Sequence, residues 1–354
     1  MAQGIAVILT HTNTRPDRRM SFLAKPKRGF VLGKFMPPHA GHVYLCDFGR
    51  AYVDELTILV CSLPDDPIPG ELRHQWMKEM FPSTRVLHCP EIVPQAPEDD
   101  PENFWPIWAD ILKRYHPEPI DIIFASEPYG HRLAADAGAR FVPVDEARTA
   151  FPISATAIRN DPYRNWRFLP GPVRPYYLKR VTLVGAESTG KTSLSAELAR
   201  HYDTVVAPEY GRFHTEAFGS GATTPEDMRQ IVMGHLAGVS AASLRANRVL
   251  IEDTDPVLTA VWSDTLAGSR DPWFDAYRDY PDLYIFCDID MPWVDDGTRY
   301  FHDPAVRRNF HRATERELVS RGVNFVRVRG NPEQRRAIAI EAIDNLLRTT
   351  RVTR

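Results

Sequence analysis

A chain of 354 residues is long for one hydrophobic core, so two domains of ordinary size are expected. The apolar share of 43% and the charged share of 25% describe a globular protein and exclude a disordered one, while a net charge of −3 with mixed signs excludes nucleic-acid binding through a broad basic surface. No run reaches the ~18 apolar residues of a membrane helix and GIAVILT is too short for a signal peptide, so a cytoplasmic protein with no membrane partner is expected.

Residues 1–27 are polar and basic without periodicity and read as a flexible extension, in which Met20 is an alternative start. RGFVLGKF then reads as a buried strand entering a glycine turn, and GHVYLCDFGRAYV as an amphipathic helix offering Val43, Leu45, Phe48 and Tyr52 to its inner face. ELTILVCS is a second buried strand. The helix GELRHQWMKEMFP, the strand STRVLHC, the helix around NFWPIWADILKRYH and the strand IDIIFASEP continue the alternation, with PEIVPQAPEDDPENF between them as a solvated, proline-rich acidic excursion. FLPGPVRPYY marks a boundary, after which KRVTLVGAESTGKTSLSAELARHY restarts the strand, glycine loop and helix pattern. RVLIEDTD, DLYIFCDID and NFVRVR supply later strands, and EQRRAIAIEAIDNLLRTT a closing helix.

Such alternation predicts an α/β protein with two doubly wound parallel-sheet domains, whose ligands sit beyond the carboxyl ends of the strands. The expected bounds are 28–169 and 179–354, joined by a linker at 170–178. Cys46, Cys61, Cys89 and Cys287 form no CxxC pair and read as buried reduced thiols without chemistry.

GAESTGKT, Gly185 to Thr192, fits the phosphate-loop pattern in full between a predicted strand and a predicted helix. Gly185 and Gly190 let the backbone amides of a loop that includes Glu187, Ser188 and Thr189 curl around phosphate. Lys191 reaches the β and γ oxygens, and Thr192 suits magnesium. Further on, APEYGR brings Glu209 and Arg212 near a strand end, and VLIEDTDP ends an apolar run on Asp253, suited to a magnesium contact, and Asp255, suited to an acceptor hydroxyl. PWVDDGTRY and DPAVRRNF place Asp296, Arg299, Arg307 and Arg308 in a charged segment expected to act as a phosphate-clamping lid. Each has a plainer structural reading as a surface pair, a helix cap or a solvated face.

In the first domain His39 and His42 lie three apart in GKFMPPHAGH. No HExxH or further ligand cluster supports a metal, and no nucleophile elbow is present. ISATAIR, Ile153 to Arg159, offers Ser154 and Thr156 at a helix start and then Arg159, all donors for phosphate oxygens. The two motifs in this order resemble the HxGH and ISxTxxR signatures of the nucleotidyltransferase superfamily. Together with IPGELRHQWMKEMFP, SEPYGHRLAADAGARFVPVDEAR, GAESTGKT, EYGR, DTD and PWVDDGTR, they are similar to the NadR family from about Arg28 onward.

That resemblance implies a Rossmann-like nicotinamide mononucleotide adenylyltransferase followed by a P-loop ribosylnicotinamide kinase, with nicotinamide riboside, nicotinamide mononucleotide, ATP and NAD as ligands and magnesium as cofactor. It assigns His39, His42, Ser154, Thr156 and Arg159, with Gly33, Lys34 and Phe35, to ATP. Arg73, Trp76 and Asp296 are implied as substrate contacts, and Glu209 or Asp255 as the carboxylate that orients the riboside hydroxyl. Some NadR proteins carry an N-terminal helix-turn-helix. The residues before the first strand are too few for one, so no sequence-specific DNA binding is expected. Gly211 departs from the alanine common in EYGR, and a homo-oligomer stays open. The rival readings are a single transferase with the P-loop domain as a nucleotide sensor, the same two folds acting on other substrates, and a non-enzymatic nucleotide-binding regulator.

Overall fold

The computed structural model describes residues 25–219, 224–294 and 300–349. In the first half β1 (Arg28–Gly33), β2 (Glu55–Cys61), β3 (Arg85–Cys89), β4 (Ile122–Ala125) and β5 (Arg140–Pro143) alternate with α1 (Ala40–Tyr52), α2 (Gly70–Met80), α3 (Phe104–Tyr115) and α4 (Tyr129–Asp136), and α5 (Ala155–Asn160) follows. The five strands pair in parallel in the order β3-β2-β1-β4-β5. The order reverses at β1, and the crevice beyond its carboxyl end is where such a sheet receives ligands.

After a short helix, α6 (Arg174–Tyr177), the second half runs β6 (Lys179–Val184), α7 (Lys191–Tyr202), β7 (Val206–Ala207), α8 (Tyr210–Phe218), α9 (Pro225–Ser243), β8 (Val249–Asp253), α10 (Pro256–Leu266), α11 (Pro272–Ala276), β9 (Leu283–Cys287), α12 (Pro304–Ser320), β10 (Phe325–Val328) and α13 (Pro332–Thr349). Its sheet is also parallel, ordered β10-β9-β6-β8-β7. Leu183 pairs in register with Asp253, and Ala207 with Glu252, so the P-loop, Asp253 and Glu209 emerge side by side at one sheet edge.

Each sheet is apolar on both faces, as strands covered by helices on two sides must be. Val31, Ile58 and Val60 face Leu45 of α1 and Met77 of α2, whereas Phe30, Leu59 and Ile123 face Trp108 and Ile111 of α3. In the second sheet Val181, Leu183 and Ile251 face Leu198 of α7 and Ile343 of α13, while Val184, Tyr284 and Phe286 face Leu258 of α10 and Phe310 of α12. Helix starts are set by a repeated local device: Thr224, Asp255, Asp271 and Asp303 each cap with a side-chain oxygen and are followed by proline at the first helical position.

Two expectations differ from the structure. On α1 the buried residues are Leu45, Cys46 and Gly49, while Tyr52 is 37% exposed and accepts a hydrogen bond from Arg140 at 2.6 Å. Gly49 sets that rotation, because a Cβ there would lie 3.1 Å from Leu56 and 3.3 Å from Phe124. The expected linker is packed: Leu169, Val173 and Tyr177 are buried with Trp76 of α2, Ile158 of α5 and Leu250 of β8 in one apolar cluster between the two sheets. Burial of side chains this large contributes roughly 1.5–3 kcal/mol each. All four cysteines are unbonded and buried. No helix among the described residues is long and apolar enough to cross a membrane.

Candidate active sites

In the first half the loop after β1 turns back under strain. Phe35 has φ +47°, a left-handed conformation rare for an aromatic residue, and its ring packs edge-on against His42 with centroids 5.0 Å apart. His39 caps α1, its Nδ1 accepting from the Gly41 amide at 3.1 Å, and its ring stacks on His42 at 3.8 Å. Two imidazoles in such contact cannot both carry charge. Burial, with the Arg148 guanidinium adding to it, pushes His39 down to about 4, and burial together with His39 and Arg148 holds His42 well below the usual histidine range. Both surroundings therefore favour the neutral rings.

The distant motif meets this loop through Arg159 and through apolar packing of Met36 with Ile153 and Ile158. Arg159 of α5 donates to the Met36 carbonyl and, at 3.1 Å, to the Thr156 hydroxyl. Ser154 caps α5, its hydroxyl accepting from the Ala157 amide at 3.1 Å. A cleft of about 510 Å³ opens here, and its lining includes Gly33, Lys34, Phe35, His42 and Arg159 together with Phe104, Trp105, Trp108 and Tyr129. The lining combines cationic with aromatic side chains, which suits a phosphate chain joined to a planar ring.

Arg73 and Trp76, the expected substrate contacts, do not line this cleft. Arg73 is fully buried behind the loop, ion-paired with Asp66 at 2.6 Å and donating to the carbonyls of Lys34 and, at 3.2 Å, Cys61. Trp76 packs against Tyr176 in the cluster between the sheets. Both hold the site's frame because α2 turns this face inward. The acidic loop read as a solvated excursion instead reaches the cleft through Gln95, and its Pro94 carbonyl accepts from Trp108 Nε1 at 3.1 Å. The aromatic wall was hidden in FWPIW because Phe104 and Trp108 satisfy a helix's buried stripe. Trp105 is the off-stripe residue that could have signalled it.

In the second half the P-loop wraps as its glycines require. Gly185 has φ +145° and a Cβ there would sit 2.6 Å from the Cys287 carbonyl, and Gly190 has φ +79° at the start of α7. Lys191 Nζ donates to the carbonyls of Gly185 and Ala186, each at 3.0 Å. Thr189 donates to Ala186 at 2.8 Å, and Ser188 to Val294 at 3.0 Å. Thr192 donates to Asp253 Oδ2 at 2.7 Å, while Asp253 Oδ1 is buried without a partner among the described residues. An orphaned carboxylate oxygen beside a hydroxyl suits a hard cation whose remaining ligands come from phosphate and water.

A pocket beside the P-loop gathers Lys191, Glu187, Glu209, Arg212, Thr254, Thr259, Trp262 and Tyr300. Its volume is about 130 Å³. Glu187 faces it only in part, because its carboxylate accepts from the amides of Tyr300 at 3.0 Å and Phe301 at 3.0 Å. Asp255 does not line it. That carboxylate is fully buried, accepting from the Leu258 amide at 3.0 Å and the Tyr284 hydroxyl at 2.5 Å, and burial raises it above the usual aspartate range. Thr254 between the two aspartates carries φ +85° and a buried hydroxyl with no partner among the described residues, a strained turn that sequence inspection passed over.

Arg307 also differs from the expected phosphate clamp. It is buried and donates to the carbonyls of Glu187 at 3.1 Å, Ser188 at 3.1 Å and Met291 at 3.3 Å, from outside the pocket. Helix α12 faces the loop with that residue and so turns a predicted solvated or clamping arginine into a support. Asp296 and Arg299 lie outside the described residues.

A model of the AAA domain matches residues 180–335. The chain is 30% identical to the trifunctional NAD biosynthesis/regulator protein NadR of Escherichia coli K12, over 85% of this chain and 78% of that protein, and 29% identical to its Salmonella typhimurium counterpart over the same shares. A nicotinamide-nucleotide adenylyltransferase of Saccharolobus solfataricus is 29% identical over 43% of this chain and 90% of its own length. Among solved structures, NadR in complex with NR superposes with a TM-score of 0.74 at 22% identity, covering 93% of this chain and 98% of that one. NadR in complex with NAD and AMP-PNP gives 0.69 at 22% identity, covering 92% and 97%.

Proposed function

The chain belongs to the NadR family, and from that premise we propose that it makes NAD from nicotinamide riboside in two ATP-dependent steps, one at each sheet edge. The observation that carries the reading is the presence in one chain of two separately assembled clusters of phosphate-suited donors. One joins the HxGH loop to α5 through Arg159 and Met36, and the other joins the P-loop to β8 through Thr192 and Asp253.

In the second half the riboside 5′-hydroxyl attacks the γ-phosphorus of ATP, its oxygen forming the new bond as the bond to ADP breaks and its proton passes to a carboxylate of the pocket. Glu209 lines the pocket and Asp255 is buried with its oxygens committed, so Glu209 is the carboxylate that orients the hydroxyl. Lys191 exchanges its two loop carbonyls for β and γ oxygens and stabilises their charge. Thr192 and Asp253 would hold magnesium, which spreads the charge of the β and γ oxygens when bound. Trp262 and Tyr300 close the apolar side of the pocket.

In the first half the phosphate oxygen of nicotinamide mononucleotide attacks the α-phosphorus of ATP and displaces pyrophosphate. No covalent enzyme intermediate is needed, so catalysis rests on placement and on charge. His42, Lys34 and Arg159 face the triphosphate, His39 shapes the start of α1 beneath it, and Trp105 offers a face to the nicotinamide ring.

Purified protein supplied with ATP, magnesium and one pyridine substrate at a time tests the reading. NAD should form from riboside and from mononucleotide, with mononucleotide appearing first in the riboside reaction. NAD from mononucleotide alone would remove the kinase half of the proposal, and turnover of neither would remove both.

A further inference from the structure

A P-loop presents its amides to phosphate only when its carbonyls are held elsewhere, because each planar peptide sets one residue's C=O opposite the next residue's N–H. Two buried guanidinium groups supply that hold from outside the pocket. Arg307 takes the carbonyls of Glu187 and Ser188 and so orients the amides of Ser188 and Thr189.

Arg335, on the first turn of α13 and 2% exposed, takes the next one. Its Nη1 donates to the Thr189 carbonyl at 3.0 Å, its Nε to the Gly330 carbonyl at 2.8 Å and its Nη2 to the Asp288 carbonyl at 3.0 Å, and it is ion-paired with Asp290. Asp290 also accepts from the Gly330 amide at 2.6 Å. One side chain thus ties the P-loop to the segment after β9 and to the turn that precedes α13.

Arg335 does not line the nucleotide pocket, and we infer that it is a positioning residue for phosphoryl transfer, locking the Thr189 peptide so that the Gly190 amide faces the phosphate chain. The inference deepens the kinase reading and rests on it for its kinetic readout. Lysine cannot replace this group, since a single ammonium on a flexible stem lacks the planar fork that reaches three carbonyls and a carboxylate in fixed directions. Gly190 cannot hold the turn unaided, because its φ of +79° is one of several conformations open to glycine.

The test compares wild type with Arg335→Lys, Arg335→Met and Asp290→Asn in the full chain. Its readouts are hydrogen exchange of the peptide spanning Gly185–Thr192 without nucleotide, steady-state riboside phosphorylation, and NAD formation from mononucleotide as a control for folding. Both Arg335 variants should exchange the P-loop amides faster. They should also raise the KM for ATP and lower kcat in phosphorylation by on the order of 10–100-fold, while adenylyl transfer stays at wild-type rate. Asp290→Asn, which leaves the arginine in place but loosens it, should shift the same readouts less. Wild-type exchange and wild-type ATP kinetics in Arg335→Met with adenylyl transfer intact would overturn the inference, as would full rescue by lysine. Should wild type itself phosphorylate no riboside, the kinase reading fails, and the exchange rates alone decide whether Arg335 holds the loop.

Discussion

Replacing His39 by asparagine should remove a defined part of the protein's acid sensitivity. An unfolded histidine titrates near 6.5, whereas burial and Arg148 hold His39 down to about 4 in the folded chain. Between those values the unfolded state binds the extra proton, so this group's contribution is complete above pH 6.5 and is lost as pH falls toward 4. Each unit below 6.5 costs about 1.36 kcal/mol, giving roughly 2 kcal/mol at pH 5 from this side chain. His39 is 6% exposed, so solvent screening changes the figure little. His42 shifts in the same direction and adds to the loss in wild type. Asparagine keeps the cap of α1, since its side-chain oxygen can accept from the Gly41 amide as His39 Nδ1 does. Urea unfolding at pH 7.5 and at pH 5.0, followed by far-ultraviolet circular dichroism, measures the difference. His39→Asn should lose about 2 kcal/mol less than wild type over that interval, with other titrating groups such as Asp255 cancelling because they are common to both proteins. Equal losses in the two proteins would refute the reasoning that the stacked pair is held neutral by its surroundings.

Three further outcomes separate contacts from supports. Glu209→Gln should lower kcat for riboside phosphorylation on the order of 100-fold, about 3 kcal/mol, with little change in stability. Asp255→Asn should instead cost about 1–3 kcal/mol of folding free energy, because the amide nitrogen would face the Tyr284 hydroxyl where a carboxylate oxygen now accepts, and comparable kinetic losses in folded Asp255→Asn would reverse the assignment. Trp105→Ala should raise the KM for nicotinamide mononucleotide about tenfold in adenylyl transfer and leave the KM for ATP unchanged, as expected if it stacks on the pyridine ring; a rise for ATP alone would place the two substrates the other way round.

The chemistry that was legible in the sequence is the chemistry carried by the backbone of a local turn. GAESTGKT needs glycines at two left-handed positions and a lysine and threonine at the head of a helix, so the motif is nearly the structure. Asp253 stood out as a candidate because it ends an apolar strand, and the structure sets it against Thr192 at the head of α7. The HxGH loop and ISATAIR became informative as a pair, and the structure joins them through Arg159 and Met36. Supports that act across long separations were not legible. Arg307 read as part of a phosphate-clamping lid and Arg335 drew no reading, and only the packing of α12 and α13 against the P-loop turns them inward as supports. Arg73 and Trp76, expected as substrate contacts, sit instead in buried positions off the cleft lining, a placement set by the packing of α2. Phe104, Trp105 and Trp108 drew no reading beyond a helix, because burial against a sheet and burial against a ligand look alike along one helix.

The central claim is that two independent sites act in sequence, and complementation between two inactive variants tests it most directly. Lys191→Ala should convert mononucleotide but not riboside to NAD, and His42→Ala should phosphorylate riboside without making NAD. Mixed together with ATP, magnesium and riboside, the two proteins should restore NAD formation, with mononucleotide detectable as the intermediate passed between them. No NAD from the mixture, when each folded variant retains its own single reaction, would contradict a freely diffusing intermediate, and loss of both reactions in either variant would contradict the two-site account itself.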